Sequence, residues 1–163
     1  MKIGVTGHQD LSMVPSEQDL KSAIEKILLN YSVDVAYSSL AIGADQIFAR
    51  ACRELNIQYC AVIPSHDYKK NFKGLDLENY IHLLGNAISV EVLPYEHSSE
   101  KAFYDAGKYI SDHADIIIAV WDGKQARGLG GTGDIVNYSI KNGTEVIQIF
   151  PDTLQVKGLG NSG

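Results

Sequence analysis

Residues 115–121 read DIIIAVW, and residues 122–136 continue DGKQARGLGGTGDIV. The run Ile116–Val120 is apolar without alternation, the pattern of a strand covered by helices on both faces. After a glycine-rich loop, residues 132–142 carry a helical pattern closed by Gly143, a residue suited to the left-handed turn beyond a helix end. The same alternation runs through the rest of the chain. Strands are predicted over 2–6, 33–38, 58–63, 89–93 and 144–150 as well as 115–121. Helices are predicted over about 17–30, from Asp45 to about Leu55, 77–86 and 99–113. In the first of these, Ser16 is the expected cap, and Leu20, Ile24, Ile27 and Leu28 form an apolar stripe at 3.6 spacing. Six strands alternating with five helical segments specify a doubly wound, Rossmann-like α/β domain with a mostly parallel sheet of about six strands flanked by helices. The expected domain covers residues 1–151, and residues 152–163, with Gly158, Gly160 and Gly163, read as a flexible C-terminal tail.

The composition agrees with a single globular unit: 163 residues, 45% hydrophobic and 21% charged. A chain of that size buries roughly 70% of its unfolded surface. The net charge of −6 argues against a broad nucleic-acid surface, which needs clustered Lys and Arg. No apolar run approaches the ~18 residues of a membrane span, and no signal-peptide layout precedes the first strand. Cys52 and Cys60 match no zinc or redox spacing, and no His pair has metal-ligand spacing, so no metal and no cofactor are expected and a cytoplasmic location is.

In an open α/β sheet the ligand sits beyond the carboxyl ends of the strands. The segments there are 7–10, 38–45, 64–73, 94–97 and 122–134. Gly128-Leu129-Gly130-Gly131-Thr132-Gly133 formally matches the dinucleotide fingerprint, with Asp152 about twenty residues on. Its first glycine, however, comes seven residues after Trp121, too late for the tight turn that motif requires. No Gly-Lys-Ser/Thr is present for a P-loop. What remains is backbone that can approach a ligand closely at Gly130 and Gly131, and a helix start at Thr132 with free N–H groups, an arrangement that binds phosphate. A flexible loop with a Thr cap is the plainer alternative. Asp134 reads either as a catalytic carboxylate or as a partner of the helix dipole, and Arg127 either as a phosphate clamp or as a solvated side chain. The lysines at 69, 70 and 73 read as a solvated face or as phosphate contacts. His8 suits hydrogen bonding at the crevice or a turn. Glu96 could face Asp134 across the cleft for glycoside-type chemistry, or simply face solvent. Trp121 and Tyr95 could stack on a base or cap the core.

Three segments together resemble the SLOG superfamily, which joins the cytokinin-activating LOG phosphoribohydrolases, the DNA-processing-A proteins and nucleotide-sensing domains. They are IGVTGHQDL at 3–11, SSLAIGADQIFARAC at 38–52 and ADIIIAVWDGKQARGLGGTGDIV at 114–136. The resemblance implies a Rossmann-like fold with a nucleotide-derived ligand at the strand ends. It puts Gly7 and His8, then Ser39, Gly43 and Asp45, then Asp122, Gly130, Gly131, Thr132 and Asp134 at the ligand. LOG enzymes carry a Glu near the start of the equivalent helix, and Asp134 is its nearest counterpart. Two departures stand out: Gln9 stands where related chains often have Arg, and G-G-T-x-D replaces the LOG pattern P-G-G-x-G-T-x-x-E, shortening the acid by one carbon.

These readings lead to an expected function. The domain binds a nucleotide-derived small molecule, such as a nucleoside phosphate or a cyclic or ADP-ribose-type ligand, as a sensor or sequestering module. The alternative is a nucleotide N-glycosidase or transferase using Asp134 and Glu96. By resemblance a homo-oligomer is expected. A third reading, a DNA-handling protein by kinship with the DNA-processing-A proteins, is opposed by the acidic charge, so nucleic acid is not the expected partner, and no membrane is expected either.

Overall fold

The computed structural model describes residues 1–125 and 128–160. Among them, strand and helix alternate as β1 Lys2–Gly7, α1 Glu17–Leu28, β2 Val35–Ser38, α2 Ala44–Glu54, β3 Tyr59–Ile63, α3 Gly74–Gly85, β4 Ser89–Val92, α4 Glu100–His113, β5 Ile116–Val120, α5 Thr132–Lys141, β6 Glu145–Ile149 and β7 Val156–Leu159, with a 3-10 turn at Tyr68–Asn71. The strands form one seven-stranded sheet in the order β4-β3-β2-β1-β5-β6-β7. All pairings are parallel except that of β7 with β6. The chain is thus an α/β protein whose mostly parallel sheet is flanked by five helices.

The unbroken apolar run in β5 becomes two cores. Ile116, Ile118 and Val120 pack with Leu20 and Ile24 of α1, Phe48 of α2 and Leu83 of α3, whereas Ile117 and Ala119 pack with Ala106 and Ile110 of α4 and Val136 of α5. Every residue of the strand is buried, and successive side chains feed opposite layers, so no position can be polar. Helix starts follow from local chemistry. The Ser16 hydroxyl accepts from the Asp19 N–H at 3.0 Å, and the Ser99 hydroxyl accepts from the Ala102 N–H at 3.0 Å, each capping its helix.

The expectation of a frayed tail fails at Val156–Leu159. These residues pair antiparallel with β6, Val146 opposite Leu159 and Ile149 opposite Val156. The return is closed by the Phe150 N–H donating to the Gln155 carbonyl at 2.9 Å. The driving group is the open edge of β6, whose unpaired backbone donors and acceptors take up an added strand whatever its side chains. Glycine content alone therefore misjudged the segment, and the sheet has seven strands rather than six.

Candidate functional site

Strand order reverses between β1 and β5, the two neighbours whose crossovers leave in opposite directions along the sheet. Beyond their carboxyl ends lies a cleft of about 260 Å³ whose lining includes Gly7, His8, Ser39, Asp45, Tyr68 and Thr132. Its location is the one open α/β sheets reserve for ligands.

His8 ties the two strand ends together. Its backbone N–H donates to the Val120 carbonyl at 3.1 Å, and its ring Nε2 accepts from the Asp122 N–H at 3.2 Å. The Asp122 carboxylate lies 3.5 Å from the same nitrogen. Burial alone would raise that carboxyl, but the Lys124 N–H at 2.9 Å and the nearby His8 hold it below the usual carboxylate range. The start of α2 packs on the same turn, with the Ala44 N–H donating to the His8 carbonyl at 3.2 Å. Gly43 makes that approach feasible: its φ is +94°, and a Cβ there would stand 2.6 Å from the His8 oxygen.

The second motif aims an acid into the cleft. The buried Ser38 hydroxyl donates to the Asp45 carbonyl at 3.1 Å and accepts from the Leu40 N–H at 3.1 Å. The Gln46 amide donates to the Leu40 carbonyl at 3.2 Å, fixing the turn in which Leu40 has φ +57°. Asp45 is only 8% exposed. Its Oδ2 accepts one long bond, 3.4 Å, from the Ala41 N–H. Burial pushes its carboxyl up to about 7, and the Ala41 N–H offsets only part of that rise. Tyr68, buried in the 3-10 turn after β3, lies close enough to feel this charge; its phenol is pushed well above the usual range by burial and then by Asp45. The cleft therefore contains a carboxyl that exchanges its proton near neutral pH.

The glycine loop closes the third side. Gly130 has φ +88°, and a Cβ there would come within 2.8 Å of the Glu100 carbonyl and the Tyr104 nitrogen, so the backbone at Gly130 lies against the start of α4. The Gly130 N–H donates to Asp134 Oδ2 at 3.1 Å. The Asp134 N–H donates to the Gly131 carbonyl at 3.1 Å, and the Ile135 N–H to the same oxygen at 3.3 Å. The N–H groups of Thr132 and Gly133, the first two residues of α5, have no hydrogen-bond partner among the described residues.

Of the residues singled out in the sequence, the cleft brings together Gly7, His8, Ser39, Asp45, Gly130, Gly131 and Thr132. Gly43 and Asp122 shape it from behind without lining it. The two carboxylates expected to face each other do not share it. Asp134 turns back onto the Gly130 N–H, and Glu96 is exposed in the loop after β4. Arg127 lies outside the described residues. Lys69, Lys70 and Lys73 are exposed, and the Trp121 indole donates to the Lys124 carbonyl at 2.8 Å. Among the described residues no group of three or more His, Cys, Asp or Glu is placed to hold a metal ion, and no helix is long and apolar enough to cross a membrane. Tyr68 and Phe103 were not anticipated as site residues. Tyr68 does fall in a segment the topology sends to the crevice, and Phe103 reads as an ordinary inward residue of α4.

The sequence matches no protein-family model and no curated protein. Solved structures do match. DNA processing protein A (DprA) from Streptococcus pneumoniae superposes with a TM-score of 0.65 and 18% identity, covering 91% of this chain and 50% of that one. The fold is shared with DprA. A second such protein, from Helicobacter pylori, whose structure concerns a single-stranded DNA binding mode, gives a TM-score of 0.65 and 15% identity over 91% of this chain and 64% of that one. This chain thus spans between half and two thirds of the length of the two DprA chains. TM1055, solved as a structural genomics target, matches with a TM-score of 0.57 and 12% identity over 89% of this chain and 71% of that one.

Proposed function

We propose that the chain is a SLOG-type domain that binds a nucleotide-derived small molecule in the cleft between β1 and β5, its phosphate on the start of α5, and acts as a sensor or sequestering module. The observation that carries this reading is the pair of N–H groups on Thr132 and Gly133, without a partner among the described residues, beside a concave site at the sheet's switch point. Such donors, with the positive end of the helix dipole behind them, favour a phosphate over water. The overall charge of −6 does not oppose a small anion, because the attraction comes from fixed backbone dipoles within a few ångströms. Asp45 complements them. Protonated, it donates to a sugar or phosphate oxygen; ionised, it accepts from a sugar hydroxyl.

Binding is preferred over hydrolysis of an N-glycosidic bond because neither Asp134 nor Glu96 lines the cleft, and an acid or base must reach the reacting atoms. The single-stranded DNA named for the Helicobacter pylori protein supplies a second ligand to test, since each linkage of a strand presents an anionic phosphodiester.

The decisive variant is Thr132→Pro. Proline is favoured at the first position of a helix, and the preceding Gly131 has φ −69° and ψ 169°, a conformation proline tolerates before it. The substitution removes one free N–H without disturbing α5. Calorimetry with nucleoside mono- and diphosphates, cyclic nucleotides, ADP-ribose and a short oligonucleotide should show binding that weakens by about tenfold or more in this variant, with the melting temperature nearly unchanged. Thr132→Val, which keeps the N–H and loses the hydroxyl, should bind close to the parent. Absence of heat with every ligand refutes the reading.

A further inference from the structure

The cleft continues into a second recess of about 210 Å³, which shares Gln9, Ala41, Tyr68 and Phe103 with it and ends at Asn71 and Phe72. Aromatic rings form its walls. Tyr68 meets Phe72 edge-on at 5.2 Å and Phe103 at 6.2 Å between ring centroids. Tyr80 stacks on Phe72 at 4.3 Å and locks that ring from outside. A flat, apolar ligand part fits such a space.

The polar group at its end has a fixed orientation. The Asn71 amide nitrogen donates to the Tyr68 carbonyl at 3.1 Å and to the Ser98 hydroxyl oxygen at 2.8 Å, which uses both of its hydrogens. The Ser98 hydroxyl in turn donates to Asp67 Oδ1 at 3.2 Å. That carboxyl is held down to about 2 by His97, Ser65 and Ser98, so it accepts and never donates at working pH. The direction is set by Tyr68: its carbonyl can only accept, so the Asn71 NH2 faces it and Ser98 Oγ, whether the Ser98 proton goes to Asp67 or to the Ser65 hydroxyl 3.0 Å away. The atom left over is Asn71 Oδ1, a pure acceptor, with no hydrogen bond among the described residues. Gln9, at the junction, has an exposed amide that can turn either way and makes no selection.

We infer that, given the nucleotide reading above, this recess receives the ligand's base and selects a heterocycle bearing an exocyclic amino group over its keto counterpart, through Asn71 Oδ1. An amino group donates to that oxygen. A keto group in the same place sets two acceptors against each other, and both lose water without a partner.

The test compares adenosine with inosine 5′-monophosphate, and cytidine with uridine 5′-monophosphate, by calorimetry, with ribose 5-phosphate as the probe that lacks a base. The amino member of each pair should bind roughly five- to tenfold more tightly, the worth of one hydrogen bond. Asn71→Ala should bring each ratio close to one and leave ribose 5-phosphate binding unchanged. Ser98→Ala, which removes one of the two acceptors that hold the amide, should lower the ratios less than Asn71→Ala does. Equal or inverted affinities in the parent protein overturn the inference while leaving the phosphate site intact, and that result needs no variant to fold. Failure of all four nucleotides to bind overturns the inference, and only silence across the wider panel of diphosphates, cyclic nucleotides, ADP-ribose and oligonucleotide as well overturns the nucleotide reading with it.

Discussion

Asp45 offers a sharp test of the site because its proton is linked to folding. In the unfolded chain its carboxyl loses the proton near the ordinary 3.8, whereas burial in the cleft raises that point to about 7. Between those values the folded protein holds a proton that the unfolded chain has released. The contribution of Asp45 to stability therefore falls as pH rises through this window and levels off above about 7. The shift of about three units, at about 1.4 kcal/mol each, amounts to about 4 kcal/mol. An Asp45→Asn substitution keeps an oxygen to accept from the Ala41 N–H and never ionises. Relative to the parent it should be close to neutral at pH 4 and more stable by about 4 kcal/mol at pH 8. Urea unfolding of both proteins from pH 4 to 8.5, followed by circular dichroism, gives the difference directly, and every other carboxylate cancels. A difference that does not change with pH, or a variant less stable than the parent at pH 8, refutes the claim that this carboxyl is desolvated. The same titration reaches the ligand. In the parent, an anion should bind more weakly as pH rises past 7 and Asp45 becomes charged, and Asp45→Asn should remove that part of the loss.

Gly43→Ala forces a side chain against the His8 carbonyl in a backbone region that L residues avoid; it should cost roughly 2–4 kcal/mol in urea unfolding and weaken ligand binding by moving His8. Gly130→Ala meets the backbone of α4 and should cost about 1–3 kcal/mol, with a larger loss of anion affinity than of stability. Asp134→Asn still accepts from the Gly130 N–H, so unfolding should change by about 1 kcal/mol or less and nucleotide binding little. If chromatography finds free base released by the parent protein and none by this variant, the hydrolytic reading displaces the binding one.

The fold was legible because burial on both faces leaves so little freedom at β5. Ile116–Val120 had to be apolar throughout, and parallel neighbours with helical crossovers follow from that. Strand β7 was hidden for the opposite reason: Val156–Leu159 is added through backbone bonds to an open edge, which imposes no side-chain pattern. The motif positions Gly7, Ser39, Asp45 and Gly130–Thr132 could be read as one site because each sits where a strand gives way to a helix, on the same side of a parallel sheet. The partners of Asn71 could not. They depend on Asp67 and Ser98, on separate loops after β3 and β4, meeting at 2.8 Å through the Ser98 N–H. The carboxylates show the difference most clearly. Asp134 is the acid nearest a helix start in the chain's most recognisable motif, yet it is occupied in holding the Gly130 N–H. Asp45 lies deeper and has a single long bond to the backbone. Asp134 is directed at its own loop and does not line the cleft, whereas Asp45 does. A carboxyl that burial keeps protonated near neutral pH retains both a proton to give and a charge to gain. Asp45 is therefore the carboxyl whose proton ligand binding should sense, and the part of the pH dependence that Asp45→Asn removes should exceed any that Asp134→Asn removes.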